Sequence, residues 1–251
     1  MLNGEFLMMW FLASVRATGV MVVSPVFSSK AVPAMIRLMM ALFVAMLAVW
    51  MRKAPDNLPA SIGEIVVAMA QESLIGLLMG WVVRLTMNSV EVAAQVISSE
   101  LGLSMGQQID PMSDTPESPV GQLLTSFAAM TFFISEAHQS VLAAFLRSFD
   151  VAPLAMLRGN VSAPELLVTA TGKIFHIGMQ IAAPLIAINF VISFTFSILG
   201  KVAPSMNVFG ESFAVRIVVG LTLLGITLTL AAQLLLESFS LVPESMLRII
   251  P

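Results

Sequence analysis

The sequence predicts an all-α membrane protein, built from hydrophobic helices and helical hairpins around an irregular central loop. Of the 251 residues, 58% are hydrophobic and only 11% are charged, whereas about a quarter of an average soluble domain is charged. The mean hydropathy is +0.94. The apolar runs have helical length, while barrel strands would alternate apolar and polar residues over about ten positions. We therefore predict a single membrane domain over 1–251, with N-terminal helices in 1–122 and C-terminal hairpins in 123–251.

Two apolar segments begin the chain. Phe6–Val26 has roughly the 20 residues that cross a hydrocarbon core. Arg16 interrupts it, and a mid-helix arginine costs at least ~2.5 kcal/mol on insertion scales, so we expect Arg16 to face protein or water. Ser24-Pro25 ends this segment, and Met35–Trp50 forms a second, shorter one.

The next predicted helix begins at Ile62 and runs to about Trp81, with a continuation to Ser98 left open. Ser61 and Glu64 have the spacing of a capping box, in which two side chains satisfy the free amides of the first turn. Gly76 and Gly80 form a small-xxx-small pattern, which lets another helix backbone approach closely.

Polar and small residues then recur along one helical face. Their spacing of four, three, four, three and four predicts a stripe; its members are Arg84, Asn88, Glu91, Gln95, Ser98 or Ser99, and Gly102. Arg84, Asn88 and Glu91 are also spaced to bond to one another. A surface amphipathic helix would show the same stripe. Because the stripe is narrow and mostly uncharged, we favour a seam that faces a partner helix or an aqueous lumen.

A long break, Glu100–Gln122, follows the stripe. Pro111, Pro116 and Pro119 each lack an amide donor and bias the preceding residue away from helix. Irregular backbone in a membrane protein must be solvated, buried in protein or facing a water-filled cavity. The break is therefore either a plain loop outside the membrane or a segment inside an aqueous conduit.

The C-terminal half begins with an apolar block and a polar segment. Leu123 to about Leu146 is apolar again, and Glu136 and His138 lie deep within this block. The charges and prolines of Arg147–Pro164 predict a polar connection.

Two further apolar runs complete the chain. Leu166–Leu199 is too long for one straight span, which indicates either a kink near Pro184 or a hairpin. Gly200–Gly210 is a second break, and Val215–Phe239 predicts the last helix.

The sequence carries few groups for chemistry. It has no cysteine and only two histidines, His138 and His176, so it predicts no catalytic residues, no metal site and no cofactor. A net charge of −3 provides no basic surface for nucleic acid. Two functions fit: a subunit whose polar seams pack against other membrane subunits around a conduit, or a solute transporter with a site at broken helices.

Three groups of landmark residues occur in an order that resembles the FliR family of flagellar type III export-gate proteins, whose injectisome counterparts are the SctT proteins. The N-terminal group is Arg16-Ala-Thr-Gly19, Ser24-Pro25-Val26-Phe27, Val32-Pro33 and Arg37. The middle group is Glu72–Gly80, Val90–Gln95, Gly102–Gly106 and Asp110-Pro111. The C-terminal group is Leu199-Gly200, Ala203-Pro204 and Asn207-Val208-Phe209. Two positions depart from the family pattern, Ser205-Met206 before Asn207 and Glu136-Ala137 before His138, which leaves local packing there open.

The resemblance implies a core subunit of the export gate and no enzymatic activity. Such proteins assemble with FliP-like and FliQ-like subunits into a closed helical cone, which an FlhB-like protein contacts, and unfolded flagellar substrates pass through it. It implies a multi-pass protein of the bacterial inner membrane and the flagellar basal body, in contact with lipid. The element Asn207-Val208-Phe209 favours the flagellar over the injectisome gate.

The resemblance also implies site residues. The loop of about 103–121 would plug the pore, with sealing by Met105, Gly106 and Ile109; the full set is Leu103, Met105, Gly106, Gln107, Gln108, Ile109, Asp110 and Pro111. The polar seam and its glycines would pack between subunits: Arg84, Asn88, Glu91, Gln95, Gly76 and Gly80. Pro204, Asn207 and Phe209 mark the second break.

Overall fold

The structure, a computed structural model, describes residues 4–28, 32–50, 52, 58–103, 118–155 and 163–250, with the side chains of 26 and 163–167 left out. Within these ranges every regular element is a helix, as predicted. The helices are α1 (Gly4–Val23), α2 (Pro25–Ser28), α3 (Ala34–Trp50), α4 (Ile62–Glu100), α5 (Pro119–Ile134), α6 (Ala137–Val151), α7 (Ala163–Val202) and α8 (Val208–Arg248).

Four described helices are long and apolar enough to cross a membrane: α1, α4, α8 and the Val168–Val202 part of α7; α5 and α6 together add a fifth span if they are counted as one. This confirms the predicted membrane protein. The helices α4, α7 and α8 have 39, 40 and 41 residues, or roughly 60 Å at 1.5 Å per residue. Each is about twice the length needed to cross a hydrocarbon core of about 30 Å.

The predicted start of α4 is confirmed in detail. The amide of Glu64 donates to Ser61 Oγ at 3.3 Å, and Glu64 Oε2 accepts from the amides of Ser61 at 3.5 Å and Ala60 at 2.9 Å. Glu64 thereby satisfies amides that would otherwise lack a partner at the helix N-terminus. The sequence left open whether this helix continues past Trp81. It does, because α4 runs unbroken from Ile62 to Glu100.

The apolar block Leu123–Leu146 contains parts of two helices, α5 and α6. The chain breaks at Ser135 and Glu136, and Glu136 has the left-handed φ of 56°. The backbone amide of Ser135 still donates to Thr131 O at 2.9 Å, so α5 closes its last turn before the chain leaves the helical path. Neither residue is a glycine or proline, so the sequence offered no local signal for this break.

The polar connection predicted at Arg147–Pro164 is wrong at its start, because α6 continues to Val151. The buried side chains of α6 have helical spacing, and they are Ala137, Val141, Ala144, Phe145, Ser148 and Phe149. Arg147 and Asp150 lie on the exposed face of the same helix. The charges therefore mark the outer face of a helix and not a loop.

The hairpin alternative for Leu166–Leu199 is wrong, since α7 is a single helix with Pro184 inside it. The second break is confirmed between α7 and α8. There Asn207 Oδ1 accepts from the amide of Gly210 at 3.2 Å, so Asn207 caps α8.

The chain forms two compact units, each assembled from separate segments. Unit 1 comprises Met1–Thr86, Glu136–Thr171 and Ser238–Pro251; unit 2 comprises Met87–Ser135 and Gly172–Glu237. In unit 1, α1 packs on the first half of α4 through glycines. A Cβ on Gly76 would overlap Arg16 O, and one on Gly80 would lie 2.7 Å from Val20 O. The close approach predicted for Gly76 and Gly80 thus occurs, against α1 of the same chain.

Replacing Gly76 with alanine should destabilise unit 1, because the new methyl group meets the Arg16 carbonyl and cannot be relieved by a rotamer change. Overpacking of this kind costs about 1 to 3 kcal/mol. Gly63→Ala on the same helix is the matched control, since a Cβ there has no neighbour within 4 Å. Thermal unfolding of the detergent-solubilised protein measures both variants, and a Gly76→Ala protein as stable as Gly63→Ala would contradict the prediction.

Candidate functional site

In unit 2, the end of α4 is closed by a Schellman turn. Gly102 has a left-handed φ of 72°, a conformation that glycine adopts without strain. The amide of Leu103 donates to Ser98 O at 2.9 Å, and that of Gly102 donates to Ser99 O at 3.0 Å. These two bonds satisfy the carbonyls of Ser98 and Ser99 in the last turn of the helix. The chain thus leaves α4 in a fixed direction at Leu103.

The start of α5 lies against this turn. The Ser98 hydroxyl donates to Ala94 O at 2.7 Å and bonds to the Ser118 hydroxyl. Because the Ser98 proton is already donated, Ser118 is the donor of the second bond. Ser118 Oγ also accepts from the amide of Gly121 at 2.9 Å and so caps α5. We call Ser98, Gly102, Leu103 and Ser118 the loop root, because it joins the two ends of the segment 104–117.

Of the predicted plug residues, the structure describes only Leu103. Leu103 belongs to the loop root and is half-buried. The others lie outside the described residues: Met105, Gly106, Gln107, Gln108, Ile109, Asp110 and Pro111. Their role in sealing a pore stays a prediction.

The C-terminal turn of α4 is also held by α7 and α8. Asn189 Nδ2 on α7 donates to Glu100 O at 3.0 Å and to the Glu100 carboxylate. The Leu101 side chain packs against Gly220 of α8 so closely that a Cβ there would overlap it. Gly102 lies against the ring of Phe213. The sequence did not predict these contacts, because they join residues about ninety to more than a hundred positions apart.

The predicted polar stripe faces outward from α4. Glu91, Gln95 and Ser99 in unit 2 are exposed and Asn88 is half-buried, while Arg84 in unit 1 is exposed. In the part of the chain that the structure describes, no hydrogen bond or ion pair links Arg84, Asn88 and Glu91, although their spacing would allow one. The face is therefore open to a neighbouring protein or to water.

The second break presents a mixed surface in unit 2. Pro204 is exposed, Asn207 caps α8, and Phe209 is 71% exposed. Because most of the Phe209 ring is exposed, its apolar surface is available to lipid or to another subunit.

Unit 1 contains a buried ion pair that the sequence did not assign. Arg16 Nε lies 2.5 Å from Glu72 Oε2, and the two side chains are 0% and 1% exposed. Arg16 also donates to Ser148 Oγ and to Ala152 O, each at 3.0 Å. Its guanidinium carbon lies 4.2 Å from the centre of the Phe149 ring. Every part of this cation is therefore matched, and the expectation that Arg16 faces protein is confirmed.

No catalytic role is assigned to the described residues of the loop root, the polar stripe or the buried ion pair. Among the described residues, no three histidine, aspartate or glutamate side chains are grouped to hold a metal ion. The polar groups of the loop root, the ion pair and the stripe serve as helix caps, as a buried charge pair and as an outward-facing surface.

Comparison with known proteins agrees with this picture. The chain is 28% identical over 215 residues to the flagellar biosynthetic protein FliR of Caulobacter vibrioides, covering 85% of this chain and 86% of that one. It is 23% identical over 236 residues to FliR of Escherichia coli K12, covering 94% and 90%. It is 30% identical over 141 residues to the Yop proteins translocation protein T of Yersinia pestis, covering 55% and 54%.

A family match covers nearly the whole chain. Residues 7–242 match the bacterial export proteins, family 1, so the match includes α4, the loop root, the second break and most of α8. The chain belongs to the bacterial export proteins, family 1, the family of the FliR-type subunits of the type III export apparatus.

Proposed function

We propose that the chain is the FliR-type core subunit of a flagellar type III export gate in the bacterial inner membrane. It assembles there with FliP-like and FliQ-like subunits, and an FlhB-like protein contacts the assembly. Unfolded protein substrates pass through the resulting pore. The protein acts as a structural subunit, and no catalytic step is assigned to it.

The observation that carries this proposal is the open polar stripe on a membrane-length helix. Carboxylate and amide groups such as Glu91 and Gln95 are costly against hydrocarbon, and the chain itself supplies no partner for these two side chains among its described residues. Packing against neighbouring subunits, or against water in a lumen, satisfies such groups. A stand-alone protein in lipid would leave them unpaired.

Large exposed apolar surfaces in unit 2 also support assembly. Phe190 and Phe194 on α7 are 71% and 61% exposed, and Val218 and Ile226 on α8 are 66% and 64% exposed. These side chains suit contact with lipid or with the apolar helices of other subunits.

The segment 103–121 is the plug in this proposal. The helix residues that flank 104–117 are joined at the loop root by the Ser98–Ser118 bond, and 119–121 form the first turn of α5. Met105, Gly106 and Ile109 supply the sealing side chains and the backbone freedom.

A second candidate is the equivalent subunit of an injectisome. The Yersinia pestis relative favours it, with 30% identity. The flagellar relatives favour the first candidate, since each matches most of its own length. Complementation of a fliR deletion strain, scored as swimming motility, separates the two.

Co-purification tests the subunit assignment and the stripe together. With FliP-like and FliQ-like proteins co-expressed, the tagged chain should elute with them as one complex. Glu91→Leu combined with Gln95→Leu should reduce the yield of that complex, because the partner groups would lose their hydrogen bonds. Glu91→Gln, which keeps a polar side chain of the same size, is the matched control and should retain the complex.

The transporter interpretation makes the opposite forecast. It requires the purified chain to bind a small solute without partners, and it requires no complex with FliP-like or FliQ-like proteins. Elution of the parent chain by itself in the presence of both partners would overturn the proposed function.

A further inference from the structure

An apolar groove runs along α1 in unit 1, between α3 and α4. Its volume is about 630 Å³, which lies within the range of about 300 to 1,000 Å³ that small-ligand sites occupy. The floor comes from α1, between Leu7 and Val22. The two walls come from α3 and α4, and their residues are Leu38, Leu42, Ser73 and Leu77.

The hydrogen-bond donors on the floor of the groove are already used. The Ser14 hydroxyl donates to Trp10 O at 2.6 Å, and the Thr18 hydroxyl donates to Ser14 O at 2.7 Å. The indole Nε1 of Trp10 donates to Leu42 O at 3.0 Å and so ties the ring to α3. Among the described lining residues, Ser73 is the remaining polar side chain. The groove therefore favours an apolar occupant.

The position of the groove makes it accessible to lipid. Its floor lies within Gly4–Val23, a helix long and apolar enough to cross a membrane. The rim is apolar and about half exposed, and its large side chains are Leu7, Phe11, Val22 and Leu38. A hydrocarbon chain can thus enter the groove from the side without passing a polar layer.

The dimensions of the groove fit one acyl chain and not a helix. Its floor is about 22 Å long at 1.5 Å per residue. If a methylene group takes up as much space as a water molecule, roughly 30 Å³, a chain of about 17 carbons needs about 500 Å³. Two turns of a helix with its side chains displace about 1,000 Å³, which exceeds the volume of the groove. A neighbouring helix can lie over the rim but does not fit inside.

We propose that this groove binds one acyl chain of a membrane phospholipid. The chain lies along α1 between the walls from α3 and α4, in contact with the Trp10 ring, and the headgroup stays outside. Burial of its methylene groups against the lining supplies the affinity. The inference concerns unit 1 alone, so it does not depend on the plug or on the gate assignment.

Trp10 provides the reporter for the test. The chain has three tryptophans, and Trp50→Phe with Trp81→Phe leaves Trp10 alone. In detergent micelles, phosphatidylcholine brominated on its acyl chains should quench Trp10 fluorescence saturably, with a plateau at about one lipid per chain. Trp10→Phe with Trp81→Phe leaves only Trp50, which is exposed and outside the groove. Its quenching should rise in proportion to the brominated lipid and show no plateau.

Filling the groove should weaken the lipid site. Thr18→Phe with Ser73→Phe adds one ring to the floor and one to a wall. In the Trp10-only chain, these rings should raise the lipid fraction at half-maximal quenching about tenfold, since excluding two methylene groups has about that effect. Val66→Phe adds a ring to an exposed position of α4 outside the groove, and should leave the curve unchanged. Where the filled variant does not fold, the comparison of Trp10 with Trp50 decides alone.

Proportional quenching of Trp10, as at Trp50, would overturn the inference. Saturable quenching that the filled groove leaves unchanged would also overturn it. The assembled complex gives a third readout, in which the Trp10 signal is the difference between complexes of the parent and of Trp10→Phe. If assembly with FliP-like and FliQ-like subunits abolishes the quenching of this signal, a partner covers the groove and the gate has no lipid site there.

Discussion

Replacing Glu72 with leucine should destabilise unit 1 severely, and more than Gly76→Ala does. The substitution leaves Arg16 buried at 0% exposure with no counter-ion. Removing one partner of a buried ion pair costs about 3 to 5 kcal/mol. It also removes the acceptor of the Ala155 amide, which donates to Glu72 Oε1 at 3.3 Å. We expect little folded protein in membranes and a large fall in the thermal midpoint of what remains.

Two further variants isolate the charge from the packing. Arg16→Leu combined with Glu72→Leu removes both charges, and should recover part of the lost stability because no buried charge remains unpaired. The exposed pair Glu244–Arg248, with side chains 60% and 69% exposed, is the matched control. Glu244→Ala should cost less than about 1 kcal/mol.

Thermal unfolding in detergent measures all three, with membrane abundance as a second readout. A Glu72→Leu midpoint equal to that of Glu244→Ala would show that the pair does not support unit 1. A double variant less stable than Glu72→Leu would show that the stability lost in Glu72→Leu comes mainly from the missing ion pair and not from the unpaired charge of Arg16.

This pair illustrates which part of the site the sequence could predict. Arg16 stands in an apolar run, where a charge needs a partner, so the sequence indicated that Arg16 faces protein or water. Its pairing with Glu72 required knowledge of which helices touch. The close approach of α1 and α4 at Gly76 was predicted from the glycine spacing, but its partner helix was not.

The fold was predictable where hydropathy alone decides. Long apolar runs predicted α1, α3 and the start of α4 to within about three residues, since the length of an apolar run reports a membrane-length helix. The last helix was predicted only over its apolar part, Val215–Phe239, whereas α8 runs from Val208 to Arg248. One error arose where charge was interpreted as a loop. Arg147 and Asp150 are exposed on an amphipathic helix, and a helix with one polar face contains charges without ending.

The loop root was predictable only in part. The polar stripe and the proline-rich segment after it located the end of α4, and Gly102 is a typical C-terminal cap. The Ser98–Ser118 bond and the hold of Asn189 on Glu100 depend on how α5 and α7 return to α4. No local pattern encodes that return, so these contacts became visible only with the fold.

Deleting the plug segment should make the assembled gate leak ions. The structure limits the deletion to residues 104–117, because a wider one would remove Ser118, which caps α5 and bonds to Ser98. Since those two hydroxyls are in contact, a short Gly-Ser linker can join Leu103 to Ser118 without moving either helix. We expect purified complexes that assemble normally and conduct ions steadily in planar bilayers.

The leak would arise because the linker has no apolar side chains to seal a narrow pore, whereas the native segment offers Met105 and Ile109. The same linker inserted after Ser205, in the exposed turn between α7 and α8, is the control for insertion of flexible chain and should leave the complex tight. A deletion complex that conducts no more than this control would refute the plug. In that case the conduit must be closed by other subunits, and the loop root would serve only to join α4 to α5.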